Sequence, residues 1–228
     1  ARLLDAGAGI GSLSCAFLDR YAAGEFPFHR VQVFAYEIDP VLREHLSLTL
    51  EKYQAGLDLD VTVLSGDFIE EAVQQILQGR ELFTHAILNP PYKKINSASH
   101  HRLLLRQVGI ETVNLYSAFV ALTVNLMAPG GQVVAIIPRS FCNGPYYKPF
   151  REFILSRASL KHMHLFESRD RAFKDDDVLQ ENIIIVLERD APQGTVAVST
   201  STDARFTDTE THVFPFHHIV LKGDPEKF

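Results

Sequence analysis

The chain has 228 residues, 46% of them hydrophobic and 22% charged, a composition that fits one globular domain with a sizeable core. Its net charge of -6 argues against a chain that grips nucleic acid alone: phosphate contacts need Lys and Arg, so the main gripping surface of a nucleic-acid enzyme would have to lie outside it. No apolar run approaches a membrane-spanning length and no signal peptide opens the chain; Cys15 and Cys142 have neither metal-site nor CxxC spacing, which fits free thiols in a reducing cytoplasm.

Taken in chain order, residues 2–4 read as a strand. It feeds Asp5-Ala6-Gly7-Ala8-Gly9-Ile10-Gly11-Ser12, a glycine-rich loop that opens a helix over 12–22. Gly7, Gly9 and Gly11 let the backbone turn tightly and pass close to a ligand. Alone, such a loop could hold a dinucleotide, a nucleoside or nothing. Asp5 would repel a phosphate and welcome an ammonium, and no Gly-Lys-[Ser/Thr] follows. S-adenosyl-L-methionine therefore fits better than NAD. A second strand over 31–37 ends on Glu37, which can accept from both ribose hydroxyls, with Ile38 beside it in the same cofactor site. Asp39 and Pro40 form a cap-and-first-turn pair that starts a helix over 40–54. The strand over 61–64 leads into Gly66-Asp67-Phe68. Asp67 can accept from the amino group of a bound adenine and Phe68 can cover its ring. The plainer alternative makes Asp67 a cap for the helix over 69–78 and Phe68 ordinary core.

A fourth strand over 85–88 ends on Asn89-Pro90-Pro91-Tyr92. This tetrapeptide suits methylation of a planar amino group whose lone pair is delocalised into a ring. The Asn89 side-chain oxygen and the Pro90 carbonyl can accept from both N–H groups and draw that nitrogen toward a tetrahedral, more nucleophilic form. The prolines, Pro90 and Pro91, stiffen the loop before substrate arrives. Tyr92 offers a face on which an extruded base can stack, worth about 1–3 kcal/mol. Strands over 132–138, 160–165 and 182–187 and helices over 115–127 and 148–156 complete an α/β alternation, with Ala128-Pro129-Gly130-Gly131 stopping a helix before a buried strand. Four chemically distinctive features thus fall at four successive strand ends, on the edge where open α/β sheets bind ligands.

Together these residues resemble the S-adenosylmethionine-dependent N6-adenine DNA methyltransferases. The motif order is similar to the gamma class, and to the TaqI-like enzymes of type II restriction–modification systems in particular. Asn114-Leu115-Tyr116-Ser117-Ala118-Phe119 resembles a helix start of that family, and Pro129-Gly130-Gly131 with 133–138 resembles its fifth strand. Tyr146-Tyr147-Lys148-Pro149-Phe150-Arg151-Glu152-Phe153 resembles the segment with a second aromatic near the target base, a position that falls to Tyr147. Arg171-Ala172-Phe173 and Val178-Leu179-Gln180-Glu181-Asn182 resemble a hairpin region of members with fused or partner nucleases. The resemblance covers roughly residues 1–188. It implies a Rossmann-like class I methyltransferase fold: seven mostly parallel strands, the last antiparallel, with helices on both faces. The implied reaction transfers a methyl group from S-adenosyl-L-methionine to the N6 of a flipped adenine in double-stranded DNA, without metal. The implied setting is the cytoplasm of a bacterium or archaeon, with a restriction endonuclease as partner or fused domain.

On this reading residues 1–190 are the catalytic domain, lacking a family helix ahead of the glycine loop. Residues 191–228 are a peripheral hairpin or the start of a connection to an absent target-recognition domain. Weak cofactor binding and negligible DNA binding by this piece alone are expected. RNA adenine and a protein glutamine amide are alternative acceptors, because both present a planar amino group; a non-catalytic module of a larger restriction protein is the non-enzymatic alternative. His100-His101, His162 with His164, and His217-His218 match no metal-site spacing and read as solvated loop or strand residues. Asp175-Asp176-Asp177 reads as a solvated turn, and Lys93 and Lys94 as either phosphate contacts or solubilising charges.

Overall fold

A computed structural model describes residues 1–80, 82–167, 181–221 and 223–224. Its centre is one mixed sheet of nine strands: β1 Arg2–Ala6, β2 Val31–Tyr36, β3 Leu59–Leu64, β4 Phe83–Leu88, β5 Met127–Pro138, β6 Ala158–Phe166, β7 Asn182–Arg189, β8 Thr195–Ser201 and β9 Glu210–Pro215. The helices are α1 Ser12–Ala22, α2 Pro40–Gln54, α3 Phe68–Leu77, α4 His100–Gln107, α5 Leu115–Leu126, α6 Lys148–Leu155 and the short α7 Phe216–Ile219.

The strand order is β3-β2-β1-β4-β5-β7-β6-β8-β9. The first five strands run parallel, β7 is antiparallel to both its neighbours, β8 joins β6 in parallel and β9 turns back against β8. The seven-strand expectation is thereby corrected to nine, and the antiparallel β7 is not the last strand. Thr195–Ser201 alternates only weakly, yet Val196, Ser199 and Ser201 are buried against β6. Residues 128–131 do not end the helix as a free turn. They lie inside β5, where pairing with β4 jumps from Phe83↔Met127 to His85↔Gln132, and Gly130 at φ +77° takes up the bulge.

Alternation along β1 explains why helices cover both faces. Leu3 faces the α1/α2 side with Leu18, Leu46 and Leu50, whereas Leu4 and Ala6 face the α3/α5 side with Phe68, Val120 and Leu122. The second layer is the deeper one: from Tyr116 to Val124 every residue of α5 is buried, as a helix apolar all round requires. Strand order reverses at β1, with β2 on one side and β4 on the other. The loops after β1 and β4 therefore lie side by side at a topological switch point, where such sheets take their ligands.

Candidate active site

The loop after β1 is held from β2: Gly7 and Ala8 donate their N–H groups to the Tyr36 carbonyl at 3.0 and 2.8 Å. Glu37 is buried, and each of its oxygens accepts a backbone N–H, one from Gly9 at 2.8 Å and one from Asp39 at 2.8 Å. It thus fixes the glycine loop while keeping a second acceptor position on each oxygen. Asp5 is 1% exposed. Its Oδ2 accepts from the Ser14 hydroxyl at 2.7 Å, and its Oδ1 is buried with no hydrogen-bond partner among the described residues. Burial raises this carboxyl to about 6, the Ser14 hydrogen bonds oppose the rise, and the Glu37 charge adds to it. Such an under-satisfied acid is an attractive neighbour for a cation and a poor one for phosphate.

A cleft of about 290 Å³ opens between the strand ends, lined by Gly7, Glu37, Ile38, Asp67, Phe68 and Asn89 together with Tyr36, Gly66, Pro91 and Phe119. Its size is at the small end of small-molecule sites, which span roughly 300–1,000 Å³, and suits a nucleoside better than a dinucleotide. Ile38 is 65% exposed at the rim, an apolar surface available to a planar base. Phe68 is buried in the core, its ring 5.2 Å from Tyr36 and 4.9 Å from Phe119, yet it reaches the cleft wall. Phe68 is therefore a core residue and part of the cleft wall at once. Asp67 also has two attachments. Its Oδ1 caps α3, accepting from Ile69 and Glu70 at 2.8 and 3.2 Å, and its Oδ2 lies 3.0 Å from His101 Nε2.

Asn89 is exposed at the end of β4, Pro90 is buried behind it, and the Tyr92 hydroxyl donates to Asn89 Oδ1 at 3.1 Å with the Ile136 carbonyl also 3.3 Å away. The ring of Tyr92 stands edge-on to buried Tyr116, with centroids 6.2 Å apart. Tyr147 packs on the same Tyr116 from elsewhere, at 5.5 Å, while Tyr146 beside it is 75% exposed. The loop carrying both is pinned by Arg151, which is fully buried and donates to the carbonyls of Phe141 and Gly144 at 2.8 and 3.0 Å. Tyr147 lies outside the cleft lining, as do Asp5, Gly9, Gly11, Pro90 and Tyr92.

Sequence reading did not single out α4, Tyr36 or the pairing of Asp67 with His101. His100 and His101 are corrected from loop or strand residues to helical ones facing acids: His100, still solvated, stands 3.3 Å from Glu70, and His101 is on Asp67. His164 is also corrected: it is buried, its two ring nitrogens engaged by Ser199 and Ser201 hydroxyls at 2.7 and 3.0 Å. Among the described residues no group of three or more His, Cys, Asp or Glu could hold a metal ion, and no helix is long and apolar enough to cross a membrane. The Asp175–177 run and the 171–173 and 178–180 motifs lie outside the described residues.

The fold itself is one found in methyltransferases. It is shared with the type IIG restriction endonuclease BpuSI (TM-score 0.70, 19% identity, 95% of this chain and 28% of that one). It is also shared with a Listeria monocytogenes protein described as a class I S-adenosylmethionine-dependent methyltransferase (TM-score 0.65, 11% identity, 88% of this chain and 58% of that one). The family model for the Eco57I restriction-modification methylase matches residues 36–173, and the chain belongs to that family. Relatives include the type II methyltransferase M.BsuBI of Bacillus subtilis, 53% identical over 100% of this chain, and M.PstI of Providencia stuartii, 42% identical over 99%. The chain spans 46% of the length of each.

Proposed function

We propose that this chain is the catalytic part of a DNA methyltransferase of a type II restriction–modification system, gamma-class and TaqI-like, that methylates the N6 amino group of an adenine turned out of the duplex. The supporting observation is the convergence of Asn89 with Gly7, Glu37 and Asp67 on one cleft, because it sets an amide acceptor beside a nucleoside-sized site. The under-satisfied Asp5 and the small cleft fit S-adenosyl-L-methionine. When bound, that group supplies an electrophilic methyl on a sulfonium. Asp5 and the glycine loop would hold the charged end, Glu37 the ribose, and Ile38, Asp67 and Phe68 the adenine.

The target amino group would donate to Asn89 Oδ1 and the Pro90 carbonyl, with its ring on Tyr92. Tyr147 is the second candidate aromatic, through the Tyr116 packing it shares with Tyr92. Placement and oriented acceptors account for the rate in this scheme, without a covalent enzyme intermediate. Residues outside this chain would supply most DNA contacts, since -6 is a poor charge for a polyanion. Residues 191–228 would be a peripheral hairpin, β8 with β9, or the start of a connection toward that recognition part, and a restriction endonuclease would be the partner or fused domain.

The test is transfer of a labelled methyl group by the full-length protein to duplex DNA, RNA and protein, followed by nucleoside analysis. Label in N6-methyladenine of DNA is expected, with Asn89→Ala reducing the rate about 10²–10³-fold and leaving cofactor binding intact. Label in cytosine, RNA or protein, or an active Asn89→Ala enzyme, would overturn the assignment.

A further inference from the structure

Helix α4 belongs to an excursion of the chain closed at its base like a purse. Ile95 donates to the Val113 carbonyl and Leu115 to the Lys93 carbonyl, both at 2.8 Å, with Lys94 and Asn114 bridged between them. Ser99 caps the helix, accepting from Arg102 N–H at 3.3 Å, and buried Leu105 and Ile110 seat it. Arg102 and Arg106 both pair with Glu111. The excursion is thus a built element, and its leading turn delivers His101 to Asp67, a residue of the cleft wall.

What His101 meets there is half of a carboxylate. Asp67 Oδ1 already accepts two backbone N–H groups of α3, which fill its lone pairs. Only Oδ2 is left to accept from a ligand. Among the described residues it is met by His101 Nε2 at 3.0 Å, with side-chain exposures of 25% for Asp67 and 34% for His101. A donor from His101 occupies one lone pair of Oδ2 and leaves one for the cleft. Resting on the assignment of Asp67 to the cofactor's adenine, we infer that His101 is a positioning residue for nucleoside recognition: it fixes the Asp67 carboxylate plane so that Oδ2 can read an exocyclic amino group. The base read in this way must carry a donor at its 6-position, so the site selects an adenosyl over an inosyl group.

Calorimetry with S-adenosylhomocysteine and S-inosylhomocysteine tests this on the full-length protein and on His101→Ala, His101→Gln and Asp67→Asn. The wild type should prefer the adenosyl compound by about 10- to 100-fold, the effect of one hydrogen bond to a charged group. His101→Ala should lower that preference about tenfold, with inosyl affinity and the urea midpoint nearly unchanged. His101→Gln, whose amide N–H reaches as Nε2 does, should restore much of it. If Asp67→Asn removes the preference and His101→Ala keeps it, or lowers both affinities alike, the positioning role is wrong and the Asp67 assignment stands. If Asp67→Asn also keeps the preference, the Asp67 assignment fails and the role of His101 with it.

Discussion

Replacing Asp5 with Asn should make the protein more stable and a worse binder. The carboxyl is 1% exposed and has one oxygen without a partner among the described residues. Burial lifts it from the ordinary 3.8 to about 6, a rise of about two units that corresponds to roughly 3 kcal/mol. Between those two values the folded chain holds a proton that the unfolded chain releases. Stability therefore falls as pH climbs from 3.8 to about 6, and the loss is complete above that. Asn keeps the shape, still offers an oxygen to the Ser14 hydroxyl, and carries no charge to bury. Asp5→Asn should thus gain up to about 3 kcal/mol at pH 7, or about 6–12 °C for a chain of this size, and gain almost nothing near pH 4. Urea unfolding followed by circular dichroism at pH 4, 5, 6 and 7 measures the gap, and calorimetry with S-adenosylmethionine should show affinity down about tenfold. A variant less stable than wild type at pH 7, or a gap that does not change with pH, would refute the reasoning.

Gly9 and Gly11 separate backbone strain from crowding. Both have positive φ, +58° and +93°, but a Cβ at Gly9 meets nothing within 4 Å among the described residues, whereas one at Gly11 comes 2.8 Å from Cδ1 of fully buried Leu46. Each Gly→Ala change should cost about 1–2 kcal/mol of left-handed strain, and Gly11→Ala about 1–3 kcal/mol more from overpacking; equal urea midpoints for the two would contradict this. His162 and His164 are held below the ordinary histidine value by burial, His164 also by its neighbour His162. Their contribution is present above about pH 6.5 and lost as pH falls through their folded values, opposite in sign to Asp5, so a His162→Asn/His164→Asn pair should flatten the acid side of the stability profile. Tyr92→Phe keeps the ring and removes the hydroxyl that steers Asn89 Oδ1. Steady-state methylation should show kcat down about tenfold with KM for DNA within about twofold, and an unchanged kcat would remove that steering role.

How much of this was legible in advance depended on whether the signal was local. β1, β2 and β4 announce themselves as short apolar runs, and Asp39-Pro40 marks α2 so well that the observed cap, Val41 and Leu42 on Asp39 Oδ1 at 2.8 and 3.1 Å, follows from the residue types. The glycine loop, Glu37, Asp67 and Asn89 were readable because each sits where a strand stops. β8 and β9 are legible as a peripheral hairpin, but not as a continuation of the central sheet. Thr195–Ser201 has few apolar residues, and what fixes it is pairing with β6, more than 30 positions earlier. Helix α4 begins with two histidines and has only three leucines in eight residues, so its apolar stripe is short. Its place is set by tertiary contacts with α3, and those decided the environment of Asp67. Tyr147 was placed by likeness to a pattern; its packing on Tyr116, with Tyr146 outside, depends on a buried guanidinium that no short-range periodicity encodes.

The parallel seam between β6 and β8 bears on how the molecule tolerates trimming. A polypeptide cut near residue 190 would leave β6 as an open border, with those carbonyls and amides of 162–166 that face β8 left without their partners and the imidazoles of His162 and His164 stripped of their serine hydroxyls. Bare borders of that kind recruit other chains. Truncates ending there should therefore precipitate or cross-pair, whereas those extending past Pro215 carry their own selvedge.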